Sequence, residues 1–416
     1  MKNAVLGAIA LAASVLLNSG CSDSQAAVYD AGLLTAANSA QPAVLNTLQA
    51  LVNIETGTGD TIGMPQMSTY LEQRLIALGA TVERHAAVAD VVGDNIVGRF
   101  KGNGTKNFLL IAHMDTVYPR GYLAKAPFRI DGNKAYGPGI ADDKGGIAVI
   151  LHTLELLNSR GFKDYGSITV MFNTDEEKGS FGSRDLIQAL SAQSDYVLSH
   201  EPNGENITFG TGTSGIAYVQ ADIKGKASHA GVAPELGVNA LVEAADLILR
   251  TQDIDDKAKE LRFNWTLAKA GSASNAIPDT ATLNADMRYG SNEQVDSTLQ
   301  FLNQRANMKK LPAAEVNITL TRGRPAFNAT ADGVALMNKA VGIYQELGQT
   351  VATSTVRTGG GTDAAYAGLS SKPVLEGLGL PGFGYHTNSA EYVLIDTIPS
   401  TLYVDARLIM DLSLGR

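Results

Sequence analysis

The chain has 416 residues, 44% of them hydrophobic and 18% charged, which supplies enough apolar material for sizeable cores and argues against a disordered chain. Its 33 basic and 42 acidic residues leave a formal net charge of −9, so no dominant basic patch is available and nucleic acid is not an expected partner. One cysteine excludes an intramolecular disulfide framework.

The chain begins "MKNAVLGAIALAASVLLNSGCSDSQAA". One lysine, an apolar run and then small residues predict an export signal over residues 1–26 that lies outside the fold. The run is too short and wrongly flanked for a membrane span. Cys21 directly follows it and resembles the lipidated cysteine of bacterial lipoproteins, whereas plain cleavage near Ala26–Ala27 is the competing reading. Both place the mature chain outside the cytoplasm, in the periplasm, and the first also tethers it to a membrane.

Three short apolar runs follow, "NFLLIAH" (107–113), "SITVMFNT" (167–174) and "DYVLSH" (195–200). Continuous apolarity bounded by turn residues predicts strands buried on both faces of a mostly parallel sheet. Between the first two, residues 143–161 carry apolar side chains at helical spacing and stop at Gly161. Strands alternating with helices predict an α/β architecture.

The next hundred residues read differently. Strands are expected over 215–225, 262–270, 280–290 and 314–323, and helices over 234–251, opened by Pro234, and 292–308. That βαββαβ order predicts a ferredoxin-like α+β unit at 213–324, inserted between catalytic segments 27–212 and 325–416.

Polar residues follow each buried strand. "AHMDTV" places His113 and Asp115 after the first, "NTDEEKGS" places Glu176 and Glu177 after the second, and "SHEPNG" places Glu201 after the third. Ligands of open α/β sheets collect at these carboxyl ends. "GPGIADDKGG" adds Asp142 and Asp143, and "GFGYHTNSAEY" adds His386. Imidazole and carboxylate donors without cysteine suit zinc or a related divalent ion. Five ligands exceed one catalytic site but suit two ions bridged by a carboxylate, roughly 3.5–4 Å apart. Of two adjacent glutamates, one can ligate while its neighbour faces the attacking water.

"HMDTV", "GPGIADDKGG", "TDEEKGS" and "EPN", in this order and with "GKASHAG" and "GGGTDAA" behind them, resemble the two-zinc exopeptidases and aminoacylases over nearly all the mature chain. Within that family the likeness is nearest to the bacterial glutamate carboxypeptidases. The resemblance implies a zinc exopeptidase domain with an inserted dimerisation unit and two Zn(2+) per subunit. Asp142 would bridge, with His113 and Glu201 at one ion and Glu177 and His386 at the other. Glu176 would be the general base and Asp115 would orient His113, and the Asp142–Asp143 peptide would be cis. His229 would polarise the scissile carbonyl, commonly of the partner subunit. Asn275, Arg288, Arg324 and Thr362 would hold the substrate. The implied reaction is hydrolysis of the amide bond to a C-terminal L-glutamate of an N-acyl substrate, folates and antifolates included, by a homodimer joined through 213–324. An N-acyl-amino-acid deacylase or dipeptidase of the same fold would share every metal residue. A binding protein without activity should have lost Glu176 or Asp142, and both are present. His152 and His85 read as structural and surface residues, and His200 is given no role.

Overall fold

The computed structural model describes residues 29–387 and 389–416. The export segment and Cys21 lie outside the described residues. A six-stranded sheet runs in the order Thr81–Ala86, Asp94–Lys101, Ser167–Asn173, Asn107–His113, Tyr196–Ser199 and Val374–Leu375. The last four strands are mutually parallel and the first two add antiparallel, so the sheet is mixed with a parallel heart.

Asn107–His113 shows why its sequence lacks alternation. Phe108, Leu110 and Ala112 enter the core on one face, while Leu109 and Ile111 enter a separate core on the other. The first face packs against Lys144–Ser159, which is itself covered by Ala31–Val52 and Ile398–Ser413. The second face is covered by Arg184–Ala192 and the short helix Ala364–Gly368. With both faces dry, polar side chains can gather only at the strand ends.

A second sheet, all antiparallel, runs Arg262–Ala270, Thr280–Tyr289, Gly215–Lys224, Glu315–Arg322. Along Gly215–Lys224, Ala217, Val219, Ala221 and Ile223 are buried while Tyr218 is exposed, the period-two signature of a half-covered strand. Ala240–Arg250 and Glu293–Ala306 contribute to the cores beneath it.

The expected helix over 234–251 is shorter than its apolar pattern implied. Pro234–Leu236 forms a single 3₁₀ turn, Gly237 is extended at φ −93° and ψ 164°, and the α-helix begins at Ala240. Asn239 caps it by accepting hydrogen bonds from the backbone amides of Leu241 and Val242, at 3.0 and 3.2 Å. Proline favours the first turn of a helix, but here an asparagine cap three residues beyond that turn sets the true start.

Glu243 anchors this helix. It is fully buried, accepts from the amides of Lys310 and Leu311 at 3.3 and 2.7 Å, and pairs with Arg250 at 2.7 Å. Glu243→Ala would leave two amides unpaired and remove one partner of Arg250, which keeps Asp246 and the Arg305 carbonyl, at an expected cost of about 2 kcal/mol. Urea unfolding followed by fluorescence of Trp265, the single tryptophan and a member of the same cores, checks this; a loss below about 1 kcal/mol would contradict it.

Candidate active site and metal centre

The parallel strands deliver the site. His113 closes Asn107–His113, Glu176 and Glu177 open the 3₁₀ turn Glu176–Lys178 just beyond Ser167–Asn173, and Glu201 stands two residues after Tyr196–Ser199. Asp142 precedes the helix Lys144–Ser159 through a cis Asp142–Asp143 peptide. Asp143 caps that helix on Gly146 and accepts from the His113 amide, each at 3.1 Å. His386 sits in the loop between Gly382–Phe383 and Tyr392–Leu394.

Asp142 lies between both histidines. Its Oδ1 is 2.9 Å from Nε2 of His113, and its Oδ2 is 3.3 Å from Nε2 of His386. His386 is also 2.9 Å from Glu177, and His113 is 3.8 Å from Glu201. Ligand atoms of His113, Asp142 and Glu201 fall within 4.8 Å of one another, as do those of Asp142, Glu177 and His386.

This crowding is electrostatically unbalanced. Burial drives Glu201 well above the ordinary carboxylate range and the charge of Glu176 adds to it; burial likewise raises Glu177, against its hydrogen bond to His386. His113 is raised well above the usual imidazole value, because Glu201, Asp115 and Asp142 outweigh a burial that works to lower it. Acids this close either take up protons or hold cations. Nitrogen and oxygen donors, three per group with one shared, fit two zinc-like ions and leave positions for water and substrate.

Glu176 belongs to neither group. Burial pushes it up to about 8 although Arg324 opposes the shift, and ions in the adjoining groups would bring it back down. Arg324, expected in the substrate clamp, is buried and already engaged. It pairs with Glu176 at 2.7 Å and Asp363 at 3.0 Å, and also donates to the Glu176 carbonyl oxygen. Asp115 stands beside His113 and also holds the turn that carries the two glutamates. Its carbonyl oxygen is 3.0 Å from Nδ1 of His113 and its carboxylate 3.3 Å, while that carboxylate accepts from the amides of Glu176 and Glu177 at 3.0 and 3.1 Å and from Thr58 at 2.7 Å.

A cavity of about 420 Å³ opens on these groups and is lined by Asp142, Glu176, Glu201, His386 and Thr362, among others. Arg288 reaches its rim, donating to the Gly359 carbonyl at 3.2 Å while held by Asp286. His229 and Asn275 stand together on an exposed ribbon, where the Ala230 amide donates to the Asn275 carbonyl at 2.9 Å. Neither lines this cavity. His200 turns away to Asp405, at 3.2 Å, and His152 is buried against Thr47 and Glu155.

Two important acids went unnoticed in the sequence. Glu391 is buried and accepts from the amides of Gly139, Ala141 and Asp142 at 2.9, 2.8 and 2.9 Å, tying the Asp142 loop to the segment that carries His386. Asp363 holds Arg324 and accepts from Asn173 at 2.7 Å. An acid just ahead of an apolar strand, as in "SAEYV", is the only signal the sequence offered for the first.

Residues 109–411 match the model of peptidase family M20/M25/M40, and the chain belongs to that family. It is 64% identical over 385 residues, 92% of each chain, to Carboxypeptidase G2 of Pseudomonas sp. (strain RS-16). Among solved structures, a tripeptidase from Staphylococcus aureus superposes with a TM-score of 0.76 at 23% identity, covering 90% of this chain and 99% of that one. A dinuclear metal binding M20 peptidase from Bacillus subtilis gives 0.68 at 16%, covering 91% and 100%. Both of these likenesses speak to the fold alone.

Metal binding should release protons. His386 is raised to about 9, chiefly by its hydrogen bond to Glu177, and an imidazole must be neutral to ligate. A proton therefore competes with the ion at every pH below about 9. Apparent affinity should climb from pH 6 to 9, about tenfold per unit for each proton released, and flatten above. Chelator-competition titrations across that range check it, and a pH-independent affinity would contradict it.

Proposed function

We propose that the protein is an exported two-zinc carboxypeptidase that hydrolyses the amide bond to a C-terminal L-glutamate of N-acyl substrates, folates and antifolates included. The observation that carries this reading is one cavity bordered by two three-donor groups and by a buried acid, Glu176, that belongs to neither. The close likeness to Carboxypeptidase G2 supports the carboxypeptidase reading.

His113, Asp142 and Glu201 would hold one ion, and Asp142, Glu177 and His386 the other. When bound, two divalent ions polarise the scissile carbonyl and lower the pKa of the attacking water from 15.7 to roughly 7. Glu176 takes the water's proton and passes it to the leaving amine. Arg324 holds one carboxylate oxygen of Glu176 and leaves the other to carry that proton. Asp115 fixes the Glu176–Glu177 turn through both amides. Arg288, at the rim, would meet the free carboxylate of the substrate by turning its fork from Asp286 and the Gly359 carbonyl, which it binds here.

In the homodimer we propose, His229 and Asn275 enter the cavity of the partner subunit, where His229 polarises the carbonyl and Asn275 joins the clamp. Their exposure, their absence from their own cavity, and the exposed Val232, Leu236 and Leu249 on the same unit support that placement. Export is read from residues 1–26, and a lipid on Cys21 from its position after the apolar run. Among the described residues no helix is long and apolar enough to cross a membrane. Mass spectrometry of the native N-terminus separates lipidation from cleavage near Ala26–Ala27.

Glu176→Gln should lower turnover roughly 10²–10⁴-fold while both metal equivalents remain bound. Near-normal activity, or loss of an ion, would overturn the base assignment. N-benzoyl-glutamate should exceed N-benzoyl-leucine in kcat/KM, whereas parity would return the chain to general N-acyl-amino-acid deacylation. Mixing inactive Glu176→Gln with inactive His229→Ala subunits should restore part of the activity through heterodimers. No recovery after verified subunit exchange would exclude action across the interface.

A further inference from the structure

The strand Gly212–Thr213 leads into the second sheet and Phe327–Asn328 leads out of it, and the two pair with each other. Strands of two residues share few backbone hydrogen bonds and make a weak joint by themselves. A third segment reinforces it. The Thr358 amide donates to the Gly212 carbonyl at 3.2 Å, and the Thr358 carbonyl accepts from the amide and hydroxyl of Ser214 at 3.0 and 2.9 Å. That segment runs on into Gly360, Gly361 and Thr362 of the cavity wall.

Arg357, one residue earlier, ties the joint together. Its Nη1 donates to the carbonyls of Thr213 and Phe327, each at 2.8 Å, one on either crossing strand. Its Nη2 donates to Oδ1 of Asn328 at 2.6 Å, and its Nε to Oε2 of Glu260, on the inserted unit, at 3.2 Å. Four guanidinium N–H groups thus meet four residues, a fan of donors that the single ammonium of lysine cannot reproduce. Asn328 passes the contact on, since its Nδ2 donates to the Gly290 carbonyl at 3.1 Å. A Cβ at Gly290 would stand 2.6 Å from Oε2 and 2.9 Å from Cβ of Glu260, so glycine leaves room for the pair. Gly290 directly follows Thr280–Tyr289, the strand that carries Arg288. The clasp therefore ends two residues from Arg288, whose own bond to the Gly359 carbonyl lands two residues from Arg357.

Only 13% of the Arg357 side chain is exposed, and three of its four partners are neutral oxygens. Burying a guanidinium this way adds little stability, but it fixes an angle well, because hydrogen bonds weaken steeply when either strand turns.

We infer that Arg357 is a positioning residue, which fixes the inserted unit on the catalytic unit and thereby sets Arg288 at the cavity rim. The inference rests on the carboxypeptidase reading and deepens it by naming what places the carboxylate clamp. Loosening the clasp costs recognition of the substrate and leaves the chemical step nearly intact.

The test measures kcat and KM for N-benzoyl-glutamate with zinc-loaded full-length enzyme, in Arg357→Met, Arg288→Met and the double variant. Arg357→Met should raise KM on the order of tenfold, with kcat within about threefold and both metal equivalents retained. An arginine that served stability alone would lower the active fraction, and so kcat, at constant KM. In the Arg288→Met background the same substitution should change kcat/KM by less than about twofold, because the residue it acts through is gone. Arg357→Lys keeps the charge but loses the fan of donors. It should raise KM at least about threefold, and it supplies the readout, singly and with Arg288→Met, if the methionine variant does not fold. An unchanged KM in either variant, a loss confined to kcat, or effects that multiply in the double variant would overturn the assignment. Failure of the wild type to cleave N-benzoyl-glutamate would instead bring down the carboxypeptidase reading, and this inference with it.

Discussion

The carboxylate of Asp142, set between two imidazoles at 2.9 and 3.3 Å, is the contact on which the rest of the site depends. It is the one side chain common to both ligand groups, so any drift in its loop is felt twice. The fold holds that loop from three directions. Asp143 caps the following helix and binds the His113 amide, Glu391 takes three amides of the loop, and Lys144 is buried with its ammonium on the carbonyls of Ile54 and Pro138. Outer partners of this kind typically matter to metal affinity almost as much as the ligands do. The helix that begins here is enclosed by the central sheet and two outer helices, which gives the loop a stationary base.

A second chain of contacts joins the base to the far half of the molecule. Glu176 is held by Arg324, Arg324 by Asp363, and Asp363 by Asn173 at the end of a central strand. Tyr289, on the second sheet, donates to the Arg324 carbonyl at 2.8 Å. The inserted unit therefore touches the base through one residue at its margin. Movement of that unit would reach Glu176 through the position of Arg324, while His113, Glu177 and Glu201 stay fixed to the ends of the central strands.

Much of this was legible in the sequence, for an identifiable reason. Strands buried on both faces advertise themselves by unbroken apolarity, and polar residues at their ends have nowhere else to go, so "NFLLIAH" matched its strand, "SITVMFNT" ran one residue past Ser167–Asn173, and both placed His113, Glu176 and Glu177 at the strand ends. The helix start near Pro234 was misjudged because proline and asparagine both open helices, and only the extended Gly237 between them decides. Arg324 was unreadable as a partner of Glu176 because 148 residues separate the two. Glu391 and Asp363 were overlooked because their partners are backbone amides and distant side chains, which leave no spacing in the sequence. Glu376, which lines the cavity, shows the same blindness in its strongest form. Nothing in "PVLEGLG" marks it, and only the parallel pairing of Val374–Leu375 with Tyr196–Ser199 brings it beside the metal ligands.

The distribution of charge then explains how one cavity can be both acidic and suited to an acidic substrate. Ligand carboxylates would be neutralised where ions bind, and Glu176 is paired with Arg324. Arg288 stands at the rim, and the proposed partner would add His229 and Asn275. In the proposed reading a glutamate would be met at the entrance by Arg288 while its amide carbonyl reaches the ligand groups. In that reading specificity for the terminal residue would be set where the inserted unit meets the rim, the place where Arg288 donates to the Gly359 carbonyl.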